Sequence, residues 1–163
     1  MKIGRLTLSD RASVGIYEDK SGPEIERVVE ACFDETIEWH RGIIPDDQEQ
    51  IVAELIRLVD TAQCHLIITT GGTGPSSRDV TPEATKQVIQ KELPGFGEAI
   101  RMASFVKVKT AILSRATAGV RHQSLIVNLP GRPSAIAECL PLLVPAIAEC
   151  LDHIADFRPR LKT

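Results

Sequence analysis

The sequence predicts an α/β fold, a three-layer α/β/α sandwich around a mostly parallel sheet. Three observations carry this. Strand patterns alternate with helix-length segments from end to end, which implies right-handed crossovers between parallel strands covered on both faces. The apolar run Leu66–Ile68 reads as a buried strand. It empties into the glycine-rich stretch Thr69–Gly74, and Thr81-Pro82 then supplies an N-cap and a first-turn proline for a helix. At 163 residues, the chain reads as one domain over 1–163, long enough to bury about two-thirds of its unfolded surface.

Each element follows from local pattern. Ile3–Leu8 reads as the first strand and ends at Ser9-Asp10-Arg11. Ser21-Gly22-Pro23-Glu24 resembles a capping box opening a helix to about Cys32, with Ile25, Val28 and Val29 on one face. Thr36–Ile44 alternates as a second strand. Asp46–Glu49 opens a helix whose Ile51, Val52, Leu55, Ile56 and Val59 recur at helical spacing. Cys64–Ile68 is the third strand, Thr81–Glu92 a helix, and Gly97–Val106 a shorter helix after the Pro94-Gly95 break. Thr110–Leu113 and Ser124–Asn128 read as the last strands. Ala135–Ile154 is helical, with irregularity expected at Pro141 and Pro145.

In such sheets, ligands bind beyond the carboxyl ends of the strands. Ser9-Asp10, Pro45-Asp46, Gly71–Asp79 and Leu129-Pro130-Gly131 all fall at strand ends and are expected to share one rim. Strand, glycine loop and helix N-terminus together point backbone N–H groups at an anion, and closely spaced glycines permit close approach and positive φ. Asp79 lies in the same loop. A carboxylate beside a phosphate cradle repels the ligand unless a metal ion lies between them, which points to chemistry on a phosphate. The stretch is neither a Walker loop, lacking Gly-Lys-Ser/Thr after Gly74, nor the dinucleotide fingerprint, whose G-x-G-x-x-G spacing it breaks. A tight turn that needs glycine for geometry alone is the plain alternative.

Composition narrows the function. A formal net charge of −3 gives no electrostatic footprint for nucleic acid. Cys32, Cys64, Cys139 and Cys150 have no C-x-x-C spacing and read as small core residues in a reducing compartment. The start at Met1-Lys2-Ile3-Gly4 runs straight into a strand, with no signal-peptide pattern, and no apolar run reaches bilayer-spanning length. The expectation is a cytoplasmic globular domain without membrane or nucleic-acid partners.

The order of Thr69–Pro75, Arg78–Pro82, Pro94–Glu98, Ile112–Arg115 and Asn128–Gly131 resembles the molybdopterin adenylyltransferase family. Ser9–Ser13 and Gly15–Lys20 also look like that enzyme, so the resemblance covers nearly the whole chain. It implies transfer of AMP from ATP to the terminal phosphate of molybdopterin, release of pyrophosphate, and Mg²⁺ as cofactor. It further implies a homotrimer that acts in molybdenum-cofactor assembly, ahead of a separate molybdenum-inserting protein.

The resemblance makes Asp46 and Asp79 the catalytic, metal-holding carboxylates, placing Mg²⁺ on the triphosphate. Each has a plainer alternative: Asp46-x-x-Glu49 is also a capping box, and an aspartate in a turn often bonds nearby backbone. Thr70, Gly71, Gly72, Thr73, Gly74 and Pro75 form the implied nucleotide loop, and Asn128, Leu129, Pro130 and Gly131 help enclose it. Ser9 and Asp10 are placed at pterin or nucleotide edges, although Asp10-Arg11 is equally a local ion pair. Glu98 and Ser114 fall on the substrate side, while an acid near a helix start also suits the dipole. The scattered histidines read as surface or satisfied core residues, and Arg132, Arg158, Arg160 and Lys162 as ordinary solvated surface, with steering of an anionic substrate as the alternative.

Some family members carry an insertion where this chain runs compactly through Glu138–Leu143. In that respect it resembles shorter relatives without the transfer role, which tend to lack an aspartate matching Asp46 and the Arg78–Pro82 run; both are present here. The adenylyltransferase therefore leads two alternatives, a pterin-binding module without catalysis and a trimeric scaffold in which the glycine loop is only a turn.

Overall fold

The computed structural model describes residues 1–162; Thr163, the end of the range read as one domain, lies outside the described residues. One six-stranded sheet runs through the molecule in the order β2-β1-β3-β6-β5-β4. Its strands are β1 (Lys2–Leu8), β2 (Glu38–Ile44), β3 (Leu66–Thr70), β4 (Lys91–Glu92), β5 (Ala118–Arg121) and β6 (Ser124–Leu129). The first four in spatial order are parallel, with Thr7 opposite both Ile43 and Thr70, and Thr70 opposite Leu129. The last two run antiparallel at one edge.

Helices α1 (Asp10–Ser13), α2 (Ser21–Cys32), α3 (Gln48–Ile56), α4 (Thr81–Val88) and α5 (Pro94–Phe105) lie between strands, and α6 (Pro133–Ala155) follows the last one. Strand alternation sorts the side chains into two cores. Ile3, Ile68 and Val127 pack with Ile25 and Val29 of α2 and with Leu140, Ile147 and Leu151 of α6. Leu6, Ile67 and Ile126 face the other way, onto Ile51 and Leu55 of α3 and Ala84 and Val88 of α4. A fully buried Leu or Ile side chain contributes about 1.5–3 kcal/mol from apolar burial. The three expected layers are therefore present, and they fix the strand ends that carry the site.

Several boundaries differ from expectation, each for a physical reason. Thr110–Leu113 is not a strand but lies within a 3₁₀ turn, Lys109–Leu113; the strand is Ala118–Arg121, where small buried residues pair with β6. The helix from Thr81 stops at Val88, and Lys91-Glu92 turn into the edge strand against Val120 and Gly119. Neither proposed box caps its helix: Asp19 Oδ1 accepts from the Ser21 and Gly22 amides at the start of α2, and Asp47, not Asp46, caps α3 through the Gln50 amide. Thr81 caps nothing, since its hydroxyl donates to the Gly71 carbonyl at 2.9 Å.

α6 runs unbroken through Pro141 and Pro145, and through the whole Glu138–Leu143 region. Both prolines are exposed, so water can reach the carbonyls that lose their N–H partners. By length and composition this helix is apolar enough to cross a membrane, contrary to the sequence expectation, but its apolar face is in the core against α2 and the sheet. All four cysteines are free, with Cys64 and Cys139 buried as expected. Burial pushes the Cys64 thiol up to about 11 and the Cys139 thiol up to about 12, so neither is a ready nucleophile.

Candidate active site

The carboxyl ends of β1, β2, β3 and β6 bring Ser9-Asp10, Pro45-Asp46, the Gly71 loop and Pro130-Gly131 to one rim. Asp10 and Asp46 are clasped reciprocally: the Asp10 amide donates to Asp46 Oδ2 at 3.0 Å, and the Asp46 amide donates to Asp10 Oδ1 at 3.0 Å. The local Asp10-Arg11 pair does not form. Instead the Arg78 guanidinium takes Asp10 in a fork, at 2.7 and 3.0 Å. Ser9 caps the short α1 through the Ala12 amide at 3.2 Å, a local role for its hydroxyl.

The glycines have a steric reason. Gly71 and Gly72 adopt φ values of +96° and +62°. A Cβ at Gly71 would lie 2.3 Å from the Leu8 carbonyl oxygen, and one at Gly72 would lie 3.0 Å from Asp46 Oδ1. A Cβ at Gly74 would lie 2.9 Å from Asp79 Oδ2. The two carboxylates therefore flank one glycine loop, as the shared-site expectation requires. Asp79 also bonds nearby backbone, accepting from the Ser76 amide at 3.0 Å, so the turn reading holds alongside.

The electrostatics single out Asp46. Burial raises its pKa, and the like charges of Asp10 and Asp79 add to the rise, against the Asp10 amide and Arg78. The hydrogen bond from Arg78 holds Asp10 below the usual range. A raised acid binds its proton more readily in the folded state. Its ionisation therefore lowers stability as pH climbs from the usual aspartate range through the raised value. Asp46→Asn should then raise Tm near pH 7 without added metal, a gain that fades towards about pH 3, below the ordinary aspartate value, where the carboxyl is mostly protonated in folded and unfolded chain alike. Thermal unfolding at the two pH values checks this; an unchanged Tm at neutral pH would contradict it.

These groups suit a hard divalent cation. Mg²⁺ takes oxygen ligands and is usually held by one or two carboxylates plus substrate phosphates. Asp46 and Asp79 each use Oδ2 for a backbone amide, leaving both Oδ1 atoms without a donor among the described residues. No group of three metal-ligating side chains occurs among those residues, so phosphate oxygens and water would have to complete the shell.

Beside the loop lies a groove of about 400 Å³. Thr73, Gly74, Ser114, Pro130 and Gly131 line it, with apolar Ile100, Val108 and Leu113 and basic Arg101, Lys107 and Arg132. A smaller hollow of about 180 Å³ on the other side of the loop is lined by Ser9, Tyr17, Lys20, Ser21, Thr70 and Gly71. The Pro130-Gly131 turn between them is pinned by hydroxyls: Thr70 donates to the Pro130 carbonyl and Ser21 to the Gly131 carbonyl, both at 2.7 Å.

Other expected site residues sit differently. Asn128 is fully buried and donates to the Thr69 and Thr85 hydroxyls, so it braces the loop from below. Leu129 is core, and Pro75 is exposed at the loop tip. Glu98 is exposed on α5 and lines neither the groove nor the hollow. Arg132, read as ordinary surface, lines the groove. Arg5, Thr7 and Asp19 form a further support that strand and loop patterns do not reveal. The Asp19 carboxylate takes Arg5 and Thr7 at 2.9 Å each, fixing the segment that carries Ser21. Only the unusual basic residue within an apolar strand signalled Arg5.

Comparison with known proteins agrees with this fold. The model of a probable molybdopterin binding domain matches residues 4–149. The molybdopterin adenylyltransferase of Helicobacter pylori is 54% identical over 93% of this chain and 86% of its own length. That of Escherichia coli is 49% identical over 86% and 72%. The crystal structure of the molybdopterin biosynthesis enzyme MoaB from Thermus thermophilus has a TM-score of 0.87 at 34% identity, covering 95% of this chain and 96% of that one. The Mog protein of Mycobacterium ulcerans has a TM-score of 0.85 at 39% identity, covering 94% and 99%. A family model that matches most of the chain, and relatives about half identical over most of it, show that the chain belongs to the molybdopterin adenylyltransferase family.

Proposed function

We propose that this protein adenylylates molybdopterin in molybdenum-cofactor biosynthesis. A terminal phosphate oxygen of molybdopterin attacks the α-phosphorus of ATP; the new P–O bond forms, the bond to the bridging oxygen breaks, and pyrophosphate leaves with that electron pair. The observation that carries the reading is the pair Asp46 and Asp79 flanking a glycine loop beside a groove with an apolar wall and basic rim. Loop amides orient the polyphosphate, and the groove receives the pterin with its phosphate towards Thr73 and Gly74. Arg132 and Ser114 line the groove where the anionic side of that substrate would lie, while Lys107 there is paired with Glu138 at 3.0 Å. The Asp46 and Asp79 carboxylates would hold Mg²⁺, which would supply neutralisation of the developing charge. Asp10 and Arg78 hold Asp46 in place through the clasp.

The test follows the label. From ATP labelled at the α-phosphate, label should appear in molybdopterin; from ATP labelled at the γ-phosphate, it should appear in pyrophosphate. Binding of molybdopterin without any label transfer would leave the non-catalytic pterin-binding alternative instead.

The working form is a homotrimer in the cytoplasm that passes product to a molybdenum-inserting protein. Support for self-association comes from one apolar patch on α5 and the turn after it. Met102, Val106 and Ile112 are 74%, 77% and 61% exposed there, with Phe105 also exposed. Light scattering should return three times the 17.8 kDa chain mass. A monomer mass across a wide concentration range would refute the assembly.

A further inference from the structure

We propose that Arg115 is a positioning residue that sets the shape of the Gly71–Val80 loop and, through it, the place of Asp79. The reading rests on the adenylyltransferase assignment. Arg115 lies outside the loop, just past the 3₁₀ turn, and reaches it at both ends. Its backbone amide donates to the Thr73 carbonyl at 2.8 Å. Its Nε donates to the Gly74 carbonyl at 2.8 Å, and Nη2 donates to the Asp79 carbonyl at 2.6 Å. The remaining Nη1 pairs with Glu83 in the first turn of α4. One side chain thus ties the loop's start, its end and the helix that follows.

Between those points the excursion is held otherwise by the Arg78–Asp10 fork and by the Ser76 amide on Asp79 Oδ2, neither of which takes the Gly74 or Asp79 carbonyl. Pro75–Arg78 are exposed, and the local backbone bonds are the Asp79 amide to the Ser76 carbonyl at 3.1 Å and the Thr81 amide to the Gly72 carbonyl at 3.1 Å. By taking the Gly74 and Asp79 carbonyls, Arg115 fixes which way these peptides face. Only a planar fork with several donors does this in three directions at once; a lysine ammonium is a single compact charge. Glu83 adds a second dependence, since its Oε2 is buried with no hydrogen-bond partner among the described residues, which leaves Arg115 as the charge paired with that carboxylate.

The prediction separates positioning from charge. Arg115→Gln should lower kcat by roughly thirtyfold to a hundredfold, with KM for molybdopterin little changed, because misplacing a catalytic group by an ångström costs about that much. The Mg²⁺ concentration for half-maximal rate should rise several-fold. Arg115→Lys should recover Tm but not kcat. The double variant Arg115→Gln with Glu83→Gln restores charge balance and should stay slow.

A second readout needs no turnover. Trypsin cleavage after Arg78 in the ligand-free protein should be several-fold faster in Arg115→Gln than in wild type. Faster cleavage with lost kcat and a raised Mg²⁺ requirement supports the proposal. Wild-type cleavage rates, full rescue by lysine or recovery in the double variant would overturn it. If the wild-type protein itself releases no pyrophosphate, the function reading fails, while the cleavage rates still decide the role of Arg115.

Discussion

Replacing Asp79 with asparagine is expected to lower turnover by roughly a hundredfold or more, as loss of a main electrostatic stabiliser does. The substitution keeps the size of the side chain and a carbonyl oxygen for the Ser76 amide, so the turn survives. It deletes the charge that attracts the metal. Neutralisation matters most where charge develops, in the transition state, so the loss belongs in kcat rather than in ground-state affinity. Molybdopterin binding, attributed to the groove, should change little. Steady-state kinetics together with a binding titration would check both halves. Wild-type turnover in a folded Asp79→Asn protein would strip Asp79 of its catalytic role and leave the turn reading standing.

Gly71→Ala should be the most damaging single-methyl change at the rim. The residue sits at φ +96°, a conformation that L side chains rarely adopt. Its added carbon would meet the Leu8 carbonyl oxygen at 2.3 Å, and that oxygen is main chain and cannot swing aside. Backbone strain alone costs on the order of 1–3 kcal/mol, before the loop shifts to relieve the clash. We expect a Tm lowered by several degrees and turnover reduced by at least about a hundredfold, since the same shift moves the loop amides off the phosphates. Gly95→Ala is the control, because nothing lies within 4 Å of a Cβ there. Equal Tm and turnover in the two variants would contradict the steric account.

Much of this was legible in the sequence because the signals were local or periodic. Leu66–Ile68 followed by Gly71–Gly74 could only be a buried strand meeting a tight loop, and strand-end placement then put Asp10, Asp46 and Asp79 on one rim. What escaped depends on contacts distant in sequence. The Asp10–Asp46 clasp joins residues 36 apart, and the Arg78–Asp10 fork joins residues 68 apart. No spacing rule reveals either, and the clasp is also why the cap fell to Asp47. Arg115 was visible only as the end of a familiar run, since its carbonyl partners lie 41 and 36 residues away. Thr110–Leu113 misled because β-branched and apolar residues suit a strand, whereas here they form a 3₁₀ turn bordering the groove.

Asp46 also illustrates a trade between stability and function. A carboxylate pushed up by burial and by two like charges costs stability when ionised, and the fold retains it where a cation would relieve that repulsion. Asp46→Asn should therefore gain stability at neutral pH and lose turnover, which thermal unfolding and steady-state kinetics on the one variant would check.

The most direct test of the account is a time course of pyrophosphate release from ATP and Mg²⁺, with and without molybdopterin. The account predicts release that depends on molybdopterin, matches adenylylated pterin mole for mole, and collapses in Asp79→Asn. Pyrophosphate release that ignores molybdopterin, or none at all from the folded wild-type protein, would contradict it.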